Sequence, residues 1–126
     1  MKTPKPDFSV VFARLRAILQ EHASKFRVSV DTADHYCLEI PYSKMFKKAF
    51  PVAWVTISKS YVSFHYMPVY FAPILQKNLS SGLKARMQGK SCFNFKTVDG
   101  ALFEELRQLT NKGFEHAAEA VRTHLA

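Results

Sequence analysis

The sequence lacks the segments that would carry it into a membrane or out of the cell. Its first seven residues are polar and include two prolines, and Arg14 and Arg16 interrupt the apolar run that follows. A secretory signal needs an uninterrupted apolar core of about seven residues or more. The longest uncharged stretch, residues 60–76, is broken by Pro68 and Pro73 and is too short to cross a bilayer. We therefore expect a cytoplasmic protein that does not interact with membranes.

Cysteine, glycine and proline are also scarce, with two, four and six residues in a chain of 126. This scarcity excludes a collagen-like or a Gly/Pro-rich low-complexity chain. Cys37 and Cys92 could pair, but two cysteines are also what a cytosolic protein carries by chance, so we expect free thiols. Hydrophobic residues make up 48% of the chain and charged residues 22%, which excludes a disordered protein. The length fits a single domain over residues 1–126, with residues 1–6 flexible.

Hydrophobic periodicity predicts an α+β domain that begins with a helix. Residues 8–19 place apolar side chains at helical spacing, and Asp7 is positioned to cap the first turn. Alternation with a period of two then predicts a pair of strands on either side of a turn at residues 31–34. Two more strands are predicted over residues 52–58 and 61–67.

The remaining residues are predicted to complete a fold of two layers, a sheet and a layer of helices. A short helix after Pro73, a fifth strand over residues 91–96 and a last helix after Asp99 are expected, and Gly113 permits a kink or a C-cap followed by a second helix. This order favours a two-layer sandwich, with a mostly antiparallel five-stranded sheet and the N- and C-terminal helices on one face. Residues 52–67 are interpreted as apolar on both sides. We therefore expect loops and the short helix to cover part of the second face, and a homodimer to cover the rest.

Negative charge is absent from the middle of the chain. Residues 40–98 contain nine basic residues and no acidic residue, whereas residues 1–39 hold six basic and five acidic residues and residues 99–126 hold three and five. The net charge of +8 therefore arises in one segment, which can become a surface of one sign in space. The alternative is that these lysines keep loops soluble while the aromatic residues between them fill the core.

Two connections concentrate these cations. If both reach the same edge of the sheet, six positive charges converge without a neighbouring carboxylate, and a polyanion or an acidic protein becomes the expected partner. Binding would be mainly electrostatic and poor in sequence preference, because lysine contacts phosphate more readily than it reads base edges. The candidate anion-binding residues are Lys44, Lys47 and Lys48 in the first connection and Lys84, Arg86 and Lys90 in the second.

Residue types that perform catalysis or ligate metals do not form a recognised motif. His35, Cys37 and Glu39 alternate along one predicted strand, but an open metal site needs three ligands and a closed zinc site needs four. His65 is the obvious residue to complete such a site, yet a sequential meander places it two strands away. His35, Cys37 and His65 are therefore only weak metal candidates. Cys92 is expected to pack within a strand, and we predict a non-enzymatic domain without a cofactor.

Two short stretches resemble a bacterial family. The sequence YVSFHY at residues 61–66, a proline-containing link with a short helix, and the sequence GKSCFNF at residues 89–95 are similar to the YdhG-like domain of unknown function. The resemblance covers roughly residues 8–124. It implies a small α/β sandwich loosely like frataxin and, as an alternative function, an iron or metal chaperone. Such a role depends on acidic oxygen ligands, of which the first helix and its ends offer only Asp7 and Glu21.

Overall fold

A computed structural model describes residues 7–43 and 47–120, and the expected flexibility of residues 1–6 lies outside them. The helices are α1 (Phe8–Gln20), α2 (Met67–Phe71), α3 (Ser81–Lys84) and α4 (Gly100–Ala120), and 3₁₀ turns lie at Ala23–Lys25 and Pro73–Gln76. The strands are β1 (Arg27–Asp31), β2 (His35–Ser43), β3 (Lys48–Ile57), β4 (Val62–Tyr66), β5 (Met87–Gln88) and β6 (Cys92–Phe95). They form one antiparallel sheet in the order β1-β2-β3-β4-β6-β5, so the predicted α+β class is confirmed. In the described part of the chain, no helix is long and apolar enough to span a membrane.

The sheet has six strands instead of the predicted five, and β5 is the additional one. It contains only two residues, which is too few to show a period of two along the sequence. Met87 pairs with Phe93 and Gln88 pairs with Cys92. Gly89 begins the return to β6 with a φ of 72°, a left-handed conformation that glycine adopts without steric cost. The strand therefore depends on its pairing with β6 rather than on a local pattern.

One face of the sheet carries the hydrophobic core, and α1 and α4 pack on it together, as predicted. The helical repeat of α1 buries five side chains, and the Asp7 carboxylate caps its first turn by accepting a hydrogen bond from the Ser9 N–H at 3.1 Å. α4 meets β6 through an edge-to-face ring pair of Phe95 and Phe103, with centroids 4.9 Å apart. The fully buried strand residues of this core are Leu38, Ala53, Val55, Val62, Phe64, Tyr66 and Phe93.

The opposite face of the sheet, which we call the open face, is more polar than predicted. Strand alternation directs Trp54 and Thr56 of β3 to this face, together with Ser63 and His65 of β4. The interpretation of residues 52–67 as apolar on both sides is therefore wrong for β4, whose open-face residues Ser63 and His65 are polar, whereas β3 still places Trp54 on that face. A homodimer stays a prediction, which sedimentation at tens of micromolar would check, but apolar area on this face no longer motivates it.

Candidate functional site

The first group of predicted cations lies in a hairpin between β2 and β3. The first predicted connection, which contains these three lysines, is shorter than the sequence indicates, since β2 extends to Ser43 and β3 begins at Lys48. Lys47 and Lys48 are exposed, and Lys47 has a left-handed φ of 56°. Lys44 lies outside the described residues. In the sheet, β4 and β6 separate this hairpin from β5, so the strand order places the two predicted groups on different strand pairs.

The second group surrounds the edge strand β5. Lys84 ends α3, Arg86 directly precedes β5, and Lys90 lies in the turn to β6; all three are exposed. Arg86 also borders a concavity of about 310 Å³ at this edge of the sheet. We call it the edge concavity, and its lining residues are Tyr61, Ala85, Arg86, Met87, Gln88, Asn94 and Lys96.

The backbone around the edge concavity is held by hydrogen bonds. The Arg86 N–H donates to the Leu83 carbonyl at 3.0 Å, and the Asn94 N–H donates to the Arg86 carbonyl at 2.8 Å. The Asn94 side chain donates to Gln88 Oε1 at 2.7 Å and accepts a hydrogen bond from Ser63 Oγ at 2.8 Å. The amide side chains that line the concavity are therefore positioned before any ligand arrives, which lowers the entropy lost on binding.

The charge of the edge concavity is entirely positive. No carboxylate is among the lining residues that the structure describes, and Arg86 and Lys96 are both exposed to solvent. Within residues 7–43 and 47–120, the side-chain ion pairs are formed by Arg27 and Arg107, and none uses a cation of the basic segment 40–98. The two cations of the concavity are therefore available to an anion, although as exposed charges they are screened by salt.

Sequence reasoning did not select Tyr61 and Lys96 as site residues. Lys96 is one of nine basic residues in the segment 40–98, and Tyr61 is one of several aromatic residues within it, so nothing in the sequence distinguishes them. Both residues line the concavity, because Val62, where β4 begins, pairs with Phe95, where β6 ends, and Tyr61 and Lys96 directly flank this pair along the chain. To identify these two residues from the sequence, one would need to know that β6 pairs with β4, and no local sequence pattern indicates that pairing.

A row of four side chains crosses the open face. Cys37 of β2 lies opposite Trp54 of β3, Trp54 lies opposite His65 of β4, and His65 lies opposite Cys92 of β6. We call these four residues the open-face row. The Trp54 and His65 rings are stacked, with centroids 4.6 Å apart and an interplanar angle of 15°. On the other side of His65, its Nε2 atom lies 3.7 Å from Cys92 Sγ.

The three weak metal candidates do not converge. Trp54 occupies the strand between Cys37 and His65, and His35 lies opposite Thr56. In the part of the chain that the structure describes, no group of three His, Cys, Asp or Glu side chains is placed to hold a metal ion. Glu39, the third member of the alternating strand motif, instead forms an ion pair with Arg27.

Burial keeps the His65–Cys92 pair neutral. It raises the pKa of the Cys92 thiol, with a smaller opposing effect from Ser63. It lowers the pKa of His65, and the charge of nearby His35 lowers that pKa further. Both shifts oppose a thiolate–imidazolium pair at neutral pH. Since the thiolate is the nucleophilic form of cysteine, this geometry does not resemble an activated catalytic thiol.

Comparison with protein-family models, with curated proteins and with solved structures found no match for this chain. Membership of the YdhG-like family therefore stays a prediction from the two short stretches that resemble it. The fold and site define an α+β domain with a cationic concavity at one sheet edge.

Proposed function

We propose that this protein is a non-enzymatic binding domain that holds an anionic ligand in the edge concavity. The observation that carries the proposal is the pair of exposed cations, Arg86 and Lys96, in a lining whose described residues include no carboxylate. Guanidinium and ammonium groups both donate to phosphate and carboxylate oxygens, and arginine can do so with two parallel hydrogen bonds. Tyr61 adds an aromatic ring on which a planar group could stack.

The surroundings of the concavity favour a polymer over a small anion. The exposed residues Lys59 and Lys84 lie two residues before the lining residues Tyr61 and Arg86 and add positive charge beside the concavity. A polyanion such as single-stranded nucleic acid places a charge at every repeat and can contact several of these groups at once. Lysines supply most of the charge, so we expect affinity that falls steeply with salt and depends little on sequence.

The proposal is tested by binding at low ionic strength to labelled single-stranded RNA, duplex DNA and heparin. The informative variant is Arg86→Ala/Lys96→Ala, and the matched control is Arg14→Ala/Lys25→Ala, which removes the same charge from exposed positions on α1 and the 3₁₀ turn that follows it. For single strands, the unmodified protein should show a log–log salt slope of about −0.7 per phosphate neutralised. The informative variant should reduce the magnitude of that slope by about 0.7 for each cation removed, and the control should leave it nearly unchanged.

Three results would contradict the proposal. Absence of binding to all three probes at low ionic strength would leave the basic segment as a solubilising surface. An equal loss of affinity in the two double variants would mean that total charge, rather than the edge concavity, governs binding. Selective binding to an acidic protein instead of these probes would also contradict a polyanion ligand.

With this function we propose a cytoplasmic location. Cys37 and Cys92 are free thiols. β3 and β4 lie between their strands, so the two sulfurs are on well-separated strands of the sheet. A domain that holds its cysteines apart gains nothing from the oxidising compartments in which disulfides form.

A further inference from the structure

The contact between His65 and Cys92 has no part in the anion-binding proposal. The two residues lie directly opposite each other on the antiparallel strands β4 and β6, and both side chains are half-buried on the open face. The atoms that face each other, His65 Nε2 and Cys92 Sγ, are 3.7 Å apart. Both are metal-ligating atoms, and the sheet register fixes the strands from which they project.

We infer that His65 and Cys92 form a two-residue site for a soft d10 metal ion, with solvent in the remaining coordination positions. Zinc binds cysteine sulfur at about 2.3 Å and histidine nitrogen at about 2.0 Å. At a tetrahedral angle these bonds place sulfur and nitrogen about 3.5 Å apart. The observed 3.7 Å therefore needs only a small adjustment of the side chains to hold an ion between the two atoms.

Neighbouring groups orient both ligands. The Trp54 ring stacks on the His65 imidazole at 4.6 Å and restricts rotation of that ring. In the metal-free protein the Cys92 thiol donates a hydrogen bond to Asn94 Oδ1 at 3.2 Å, which sets the direction of the sulfur; the thiol loses that proton when it binds the ion. Contacts that fix the direction of a ligand raise metal affinity, because less side-chain freedom is lost when the ion binds.

The ligand types define the class of ion. Thiolate and imidazole select zinc or copper(I), whereas magnesium and calcium require oxygen ligands. A site with two protein ligands suits copper(I), which is stable at low coordination number, and also zinc completed by water. The site differs from the carboxylate-rich arrangement that iron delivery would use.

Trp54 makes the site directly observable, because it is the only tryptophan of the chain and its ring stacks on a proposed ligand. Cobalt(II) is the first probe, since it substitutes for zinc, quenches nearby tryptophan fluorescence and gives a charge-transfer band when bound to thiolate. Zinc and copper(I) are then titrated separately, each in competition with a chromophoric chelator, to distinguish the two ions. The variants are Cys92→Ser and His65→Gln, and the matched control is Cys37→Ser, which alters the other thiol of the same row beyond Trp54.

We expect the unmodified protein to bind cobalt with quenching of Trp54 and a thiolate band. Cys92→Ser should abolish the band, and both ligand variants should weaken zinc or copper(I) binding by about tenfold or more. Cys37→Ser should change neither. One ion per two chains would also support the site, with a second copy supplying the other ligands. Absence of binding at millimolar metal, or an equal loss in Cys37→Ser, would overturn the inference, while polyanion binding measured on the same samples would be unaffected.

Discussion

The side chain of Tyr66 connects the sheet to α4. Its ring is fully buried and lies edge-on to Phe114, with centroids 5.1 Å apart. Its hydroxyl donates a hydrogen bond to the Thr110 carbonyl at 2.5 Å. α4 continues through Gly113, so the alternative of a C-cap and a second helix there is not adopted. The glycine instead makes room for Tyr66, because a β-carbon at position 113 would lie 2.7 Å from Tyr66 Cε2.

We predict that Gly113→Ala destabilises the protein. Alanine favours a helix over glycine by about 0.5–1 kcal/mol, but forcing a β-carbon against a buried ring costs about 1–3 kcal/mol. The net loss in the free energy of unfolding should be about 1–2 kcal/mol, measured by urea denaturation. The control is Gly100→Ala at the start of the same helix, where no atom lies within 4 Å of the added carbon. A Gly113→Ala protein as stable as the control would contradict this account of the packing.

At the scale of elements, α3 is held in place by a side chain of α4. It has only four residues, so its own hydrogen bonds are too few to keep it folded. Ser80 caps it by accepting a hydrogen bond from the Leu83 N–H at 3.1 Å. The Glu105 carboxylate accepts two hydrogen bonds from Ser80, from the backbone N–H at 2.8 Å and from the hydroxyl at 2.5 Å. Since α3 leads directly to Arg86 and β5, this anchor also positions the edge concavity.

We predict that Glu105→Ala loosens α3 and weakens polyanion binding. A hydrogen bond to a charged group contributes about 1.5–3 kcal/mol when buried, and because Glu105 is partly exposed we expect a loss of about 1–2 kcal/mol. Hydrogen exchange of the Leu83 amide should become faster than that of the sheet amides. The matched control is Glu104→Ala, whose carboxylate makes only a surface ion pair with Arg107 and should matter by less than about 0.5 kcal/mol. Equal exchange rates at Leu83 in the two variants would argue against the anchor.

For the whole molecule, burial keeps several acids neutral and thereby sets the pH dependence of stability. Burial raises the pKa values of Tyr66, Tyr36, Cys37 and Cys92 above their ordinary ranges. The unfolded chain then releases these protons at lower pH than the folded protein does, so the free energy of unfolding falls as pH rises past the ordinary values. The opposite applies to Glu21, whose pKa is lowered by hydrogen bonds from Arg107, so that its contribution is lost as pH falls.

We predict that stability declines between about pH 8 and pH 11, measured by denaturation under reducing conditions. Each group that ionises only on unfolding adds a slope of up to about 1.4 kcal/mol per pH unit. Tyr66→Phe should be less stable at neutral pH, because it loses the hydrogen bond to Thr110, but should show a shallower decline above about pH 10. Tyr61→Phe, altered at the edge concavity, is the control and should keep the original slope. An unchanged slope in Tyr66→Phe would exclude Tyr66 as a source of the alkaline decline.

Helices and strands with a local sequence pattern can be predicted from the sequence without the structure. The helical spacing over residues 8–19, the alternation that buries Phe93 and Phe95, and the caps at Asp7 and Asp99 all depend on near neighbours along the chain. Such patterns predict helices and strands because backbone geometry repeats every 3.6 or two residues. The charge segregation that motivates the functional proposal is likewise a property of the sequence alone.

Contacts between residues that are distant along the chain could not be predicted, because they depend on how the whole fold packs. The two-residue strand β5 and the pairing of β4 with β6 follow from strand order. So do the placement of Tyr61 and Lys96 around one concavity and the contact of His65 with Cys92 on the open face. The role of Gly113 could not be predicted either, since Tyr66, the residue for which it makes room, lies 47 residues earlier in the chain. The pairing of distant strands depends on the burial of the whole core rather than on any one segment. Local hydrophobic periodicity therefore does not indicate which strands pair.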